Sequence, residues 1–289
     1  MKIKKAVIPV AGKGTRFLPA TKQIPKEMIP ILDRPMIHYC VEEAVLSGID
    51  EIVFVTSTGK EAIENYFDRN MELENFLEKN GKIELLEKIS KIGQMIEVVT
   101  VRQKEQLGLG HAVLCAKSVV GTDDFAVILG DDIVVNDVPV TKQLIDCHEK
   151  HGGSVIGVMQ VPKTETYRYG IVKGTTVSDR TLKMDSMVEK PKPENAPTNL
   201  ATPGRYILKN EIFSALERIE RGAGGEYQLT DAINMLCSES QVFAHEFYGK
   251  RYDTGSLEGY LRATVDFALS RDDLRATMQE ILKNGKGHQ

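Results

Sequence analysis

The sequence predicts an α/β sandwich in which helices flank a mostly parallel central sheet. Two observations carry that prediction. Strand-like and helix-like segments alternate through the first half of the chain, the pattern of a parallel sheet covered by crossover helices. The bulk composition, 42% hydrophobic and 27% charged over 289 residues, is enough to build one large core with modest appendages.

Residues 5–10 form an apolar run that reads as the first strand. Ile37, Cys40, Val41, Ala44 and Val45 then recur at the spacing of one helical face, predicting a helix over 36–47 that Gly48 can close. A second strand follows at 51–56. Residues 60–91 interrupt the alternation with three short amphipathic helices, marked by Ile63, Tyr66 and Phe67, by Leu73, Phe76 and Leu77, and by Ile83, Leu86 and Ile89. Strands at 96–101, 125–129 and 154–161 then alternate with helices at 112–120 and 140–151. Past residue 162 short strands at 170–173, 184–188 and 205–208 mix with helices around 212–219 and 230–238. A C-terminal helical segment at about 256–283 sets Leu257, Tyr260, Leu261, Thr264, Val265, Ala268 and Leu269 on one face, suited to packing or subunit contact. Residues 283–289 read as a frayed tail. No repeat or linker divides the chain, so 1–289 reads as a single domain.

The net charge of −4 provides no basic stripe for nucleic acid, so any phosphate chemistry must come from a local pocket. No apolar run approaches the roughly 20 residues of a membrane span, and the basic, briefly apolar start is too short for a signal peptide. Cys40, Cys115, Cys147 and Cys237 lack disulfide or metal spacing, and they read as free thiols in a reducing cytoplasm.

The chemistry concentrates after the first strand. Ala11-Gly12-Lys13-Gly14-Thr15-Arg16 is a glycine-rich loop whose amides can face an anion while Arg16 adds a forked cation. Phe17 stands where a dinucleotide fingerprint needs its third glycine, and no Gly-Lys-Ser/Thr follows at P-loop spacing. Lys22 and Lys26 add further cations to the same irregular segment. Asp131 and Asp132 end the apolar strand FAVILG, where open α/β sheets bind ligands, and paired acids there suit a hard cation. Taken alone, these acids also fit a solvated turn, and Asp253 fits a turn or a helix cap. Gln103 carries an amide able to pair with a pyrimidine edge, while Gly108 permits close backbone approach. Glu189 and Lys190 reach one ligand only if their strand stops there, as Pro191 suggests.

The stretch AGKGTRFLPATKQIPKEMIPILDRPMIHY resembles the signature of the sugar nucleotidyltransferases, and within them the bacterial UTP:glucose-1-phosphate uridylyltransferases. Arg102-Gln103, Leu107 to Ala112, Leu129-Gly130-Asp131-Asp132, Tyr169-Gly170, Val188 to Pro191 and Tyr252 to Gly255 follow in that family's order. The resemblance implies a Rossmann-like α/β/α sandwich of the nucleotide-diphospho-sugar transferase type. It implies Arg16 and Lys26 as catalytic cations, and Ala11, Gly12, Gly14, Thr15, Gln103 and Gly108 around the nucleotide. Gly170, Glu189 and Lys190 would hold the sugar phosphate, with Glu189 on hydroxyls and Lys190 on phosphate. Asp131 and Asp253 would bind Mg²⁺, with Asp132 in support. The implied substrates are UTP and glucose 1-phosphate, and a homo-oligomer is expected. The helical insertion resembles the uridylyltransferases more than the shorter thymidylyltransferases, so use of dTTP is the alternative within the class. A non-catalytic sugar-nucleotide-binding module is the alternative outside it. His111 has no acidic or nucleophilic neighbour in sequence and receives a structural role.

Overall fold

The computed structural model describes residues 2–285. One ten-stranded sheet runs in the order Leu200–Thr202, Gly170–Ser178, Thr181–Glu189, Val242–Glu246, Ser154–Gln160, Arg205–Leu208, Phe125–Ile128, Lys5–Pro9, Glu51–Thr56, Glu97–Arg102. Its residues alternate between two apolar layers, as the period of two along a strand requires. Val7, Val53 and Val127 face the helices Leu109–Cys115, Ile212–Leu216 and Leu229–Glu239. Ala6, Ile8, Ile52, Phe54 and Ile128 face the opposite way, toward Met36–Leu46, Glu61–Phe67 and Val140–His151. The helix–sheet–helix layering therefore follows from strands buried on both faces.

The expectation of a mostly parallel sheet is corrected. Lys5–Pro9 pairs in parallel with Glu51–Thr56 and Phe125–Ile128, and Glu51–Thr56 pairs in parallel with Glu97–Arg102. The rest is antiparallel except for one parallel pairing, between Ser154–Gln160 and Val242–Glu246. The cause is connection length. Gly170–Ser178 and Thr181–Glu189 are joined through Asp179 and Arg180, with Arg180 at φ 57°, and so short a link reverses the chain. Arg205–Leu208 then inserts between Phe125–Ile128 and Ser154–Gln160, antiparallel to both.

The insertion forms three helices as expected, Glu61–Phe67, Met71–Lys79 and Ile83–Gly93. The C-terminal segment is two helices, Leu257–Ser270 and Asp272–Asn284, broken at Arg271, whose φ −86° and ψ 127° are extended. Its expected apolar face is only partly turned to the core. Tyr260, Ala263 and Phe267 pack on Ile31, Met36, Ile133 and Tyr252, whereas Leu257 and Leu261 are exposed. The expected tail is helical to Asn284, and 286–289 lies outside the described residues.

Candidate active site

Three loops leave the carboxyl ends of strands in the parallel half of the sheet, and two of them, through Arg16 and Asp131, supply the first wall of a cleft of about 560 Å³. The glycine-rich loop follows Lys5–Pro9, Gln103 follows Glu97–Arg102, and Asp131 follows Phe125–Ile128. Gly14 has φ 65°, and a Cβ there would lie 3.0 Å from the Lys26 Cβ, so glycine lets the loop fold back against Lys26. Lys26 Nζ in turn donates to Asp131 Oδ2 at 2.5 Å. Burial alone would lower the Lys26 ammonium. Asp131 and Glu27 outweigh that and hold it above the ordinary lysine value. Burial likewise pushes the Asp131 carboxyl up, but Lys26 pulls it below the usual aspartate value. Arg16 lines the cleft and reaches Gly255 O at 3.4 Å. Ala11 and Gly12 line a smaller cavity of about 240 Å³ with Lys13, Lys22 and Lys60.

A ribbon explains how acids far apart in sequence meet. Asp132–Val135 pairs antiparallel with Lys250–Asp253, setting Asp132 opposite Asp253. Gly255 N and Thr254 Oγ1 then donate to Asp131 O at 3.1 and 2.8 Å. A Cβ placed on Gly255 would lie 2.5 Å from Asp131 Oδ2 and 3.3 Å from Asp253 Oδ1, so the two carboxylates flank a space that a side chain would fill. Among the described residues no group of three or more His, Cys, Asp or Glu gathers as a metal cage. A cation here would take two protein carboxylates and complete its shell from phosphate oxygens and water, as Mg²⁺ commonly does. Asp132 is committed elsewhere. Its oxygens accept two bonds of 2.6 Å from Arg251, although burial pushes its carboxyl up to about 6.

The opposite wall comes from the antiparallel half. Thr181–Glu189 stops where Pro191 suggested, and Lys190 adopts φ 45°, which turns it into the same cleft as Glu189. Lys190 Nζ lies 3.2 Å from Glu189 Oε1, and Thr230 Oγ1 donates to Glu189 Oε2 at 2.6 Å. Asn234 bonds both Met187 N and Met187 O at 2.7 Å, tying this strand end to the helix Leu229–Glu239. Gly170 lines the cleft beside Thr202 and Glu189.

Gln103 and Gly108 sit together, off the main cleft lining. Gln103 is buried, and its Nε2 donates to Gly108 O at 3.1 Å and lies 3.0 Å from His111 Nδ1. The carbonyl fixes the amide's orientation and leaves Oε1 without a partner among the described residues. His111 therefore has a definite task, orienting Gln103. Gly108 is at φ 100°, and a Cβ there would meet Glu226 Cβ at 2.7 Å and Tyr227 O at 2.9 Å. Packing against 226–227 thus accounts for that glycine.

Three functional side chains escaped sequence reasoning. Arg168 Nη2 donates to Asp253 Oδ2 at 2.6 Å, and Arg251 holds Asp132; each is one residue from a recognised motif, and that adjacency was the available signal. Arg205, 1% exposed, donates to Glu43, to Leu129 O at 3.3 Å and to Asp132 O at 2.5 Å, clamping the turn that presents Asp131. Nothing local to RYIL announces it.

Comparison with known proteins identifies the family. The UTP–glucose-1-phosphate uridylyltransferase of Bacillus subtilis strain 168 is 52% identical over 274 residues, 95% of this chain and 94% of its own. A UTP-bound enzyme of the same type from Acinetobacter baumannii superposes with a TM-score of 0.88 at 44% identity, covering 97% of this chain and 99% of that one. A UDP-glucose pyrophosphorylase complexed with UDP-glucose gives a TM-score of 0.87 at 40% identity, covering 93% of this chain and 100% of that one. The family model described as nucleotidyl transferase matches residues 5–269, the span that holds both walls of the cleft, and the chain belongs to that family.

Proposed function

We propose that this chain transfers the uridylyl group of UTP to glucose 1-phosphate, releasing pyrophosphate and giving UDP-glucose. The observation that carries the reading is the pairing of two walls in one cleft. One wall supplies phosphate-binding cations and two converging carboxylates; the other supplies an acid and a lysine suited to a sugar phosphate. Relatives that share about half their residues over nearly the whole length carry this activity in their names.

A sugar 1-phosphate dianion is already a nucleophile, so the reaction needs alignment and charge neutralisation rather than a general base. Arg16 and Lys26 take charge from the triphosphate and from the leaving pyrophosphate. Lys190 draws the second phosphate alongside against its repulsion, while Glu189, oriented by Thr230, accepts from sugar hydroxyls. The Gln103 Oε1, held by the bond of its amide to Gly108 O, accepts from the N–H of the uracil edge. Mg²⁺ bound by Asp131 and Asp253 would neutralise phosphate charge and polarise the α-phosphate. Asp132, locked by Arg251, supports that pair from behind. The exposed Leu257 and Leu261 provide a face for a homo-oligomer, and the four free thiols suit the cytoplasm. No helix among the described residues is long and apolar enough to cross a membrane.

The deciding assay measures pyrophosphate release over UTP, dTTP, ATP and GTP against several sugar 1-phosphates with Mg²⁺. The pair UTP and glucose 1-phosphate should give the highest kcat/KM. A dTTP rate equal to the UTP rate would reassign the nucleotide, and no release with any pair would leave only a binding module.

A further inference from the structure

We propose that Arg168 is a phosphate-binding residue that works by exchanging partners. It pairs with Asp253 in the structure described here, yields that carboxylate to the divalent cation when substrates bind, and turns its guanidinium to the sugar phosphate. The proposal rests on the uridylyltransferase reading.

The geometry is specific to Arg168. Its Nη2 donates to Asp253 Oδ2 at 2.6 Å, while Nη1 reaches Glu165 Oε2 at 3.3 Å and the guanidinium lies 5.5 Å from the Tyr169 ring centroid. Lys190 N donates to Tyr169 O at 3.0 Å, so Arg168 and Lys190 spring from adjoining backbone on the same wall of the cleft. A phosphate drawn in by Lys190 thus arrives within the sweep of Arg168. Lys26 stands in the same relation to Asp131 on the facing wall. Each acid that flanks Gly255 is therefore matched by one internal cation, and a divalent ion that takes both acids releases two monovalent cations into a cleft about to receive two phosphorylated substrates.

Exposure decides which pairs exchange. The Arg168 and Asp253 side chains are 37% and 20% exposed, so water screens the pair and its loss is readily offset. The Arg251 and Asp132 side chains are 13% and 7% exposed and joined by two bonds, so that pair stays closed. Glu165 keeps a hold on the other nitrogen of Arg168, which limits how far the released guanidinium travels.

The test titrates Mn²⁺, followed by its electron paramagnetic resonance signal, into the nucleotide-free parent, Arg168→Gln and Arg168→Lys, with Asp253→Asn as control. Removing the competing cation should tighten Mn²⁺ binding by about two- to fivefold, the scale of one partly exposed ion pair, with Arg168→Lys near the parent. In steady state Arg168→Gln should raise KM for glucose 1-phosphate about tenfold, the scale of one charge-assisted hydrogen bond, with KM for UTP nearly unchanged. Mn²⁺ affinity in Arg168→Gln equal to or weaker than the parent's, or an unchanged KM for glucose 1-phosphate, would overturn the proposal. Absence of pyrophosphate release by the parent would instead strike the functional reading, and the Mn²⁺ titration would still decide whether Arg168 competes for Asp253.

Discussion

The two halves of the sheet do different work and are built differently. In the half formed by Lys5–Pro9, Glu51–Thr56, Glu97–Arg102 and Phe125–Ile128, parallel strands set their carboxyl ends in a row, and the glycine-rich loop, Gln103 and Asp131 follow three of those ends. In the half formed by Gly170–Ser178 and Thr181–Glu189, a hairpin ends in an acid and a lysine turned into the same cleft. The first half presents loop backbone and cations, the second side chains fixed by helix contacts such as Asn234 to Met187. A parallel array suits an extended polyanion, whereas a strand terminus held at both edges suits a compact sugar.

The strongest perturbation of this division loosens the aspartate turn of the first half, which Arg205 clamps. Arg205→Ala leaves Glu43 buried without its cation and should destabilise the protein by about 3–5 kcal/mol, read by urea denaturation. A loss under about 1 kcal/mol would mean that the aspartate turn holds its place without the pair. Next in size, Lys26→Ala should lower kcat roughly 10²-fold while leaving KM for glucose 1-phosphate near the parent value, since it touches only the phosphate wall. Loss of sugar binding instead would erase the distinction between the walls. Smaller again, Glu189→Ala should raise KM for glucose 1-phosphate about tenfold, with UTP affinity by calorimetry unchanged. A collapse of UTP affinity there would place the nucleotide on the wrong half.

The smallest effect compares one histidine on a helix packed against the first half with one on the strand beside the hairpin. Burial lowers both His38, bonded to Tyr66, and His245, beside Thr181. A base with a depressed folded pKa keeps its full contribution above its unfolded value. As pH falls below 6.5 the unfolded chain takes up a proton that the fold refuses, and stability drops. His38→Asn and His245→Asn should each flatten the decline in stability between pH 7 and pH 5, measured by thermal unfolding. A slope unchanged in either variant would remove that histidine from the acid response.

Legibility in the sequence followed the same division. Continuous apolar strands and amphipathic helices were readable through residue 161, because parallel units carry their periodicity locally. The strands Asp132–Val135, Leu200–Thr202, Val242–Glu246 and Lys250–Asp253 were not, being short and defined by distant partners. Sheet direction failed for the same reason, since Arg205–Leu208 beside Phe125–Ile128 joins residues some 80 positions apart. In the site, the motif acids and cations were legible as residue types. Their partners Arg168, Arg251 and Arg205 were not, because an arginine's role depends on which carboxylate it meets after folding.

The Glu43–Arg205 pair also constrains how this sequence can be recombined. Glu43 accepts from Arg205 and from Thr141 N and Oγ1, and Arg205 holds the carbonyls of Leu129 and Asp132. One buried network thus joins the first helix, the aspartate turn and the returning strand. A chimera whose crossover falls between residues 43 and 205 inherits each partner from a different parent. Such crossovers should yield soluble protein only when the parent supplying residue 43 carries an acid there and the parent supplying residue 205 carries an arginine, whereas crossovers after residue 205 escape that restriction.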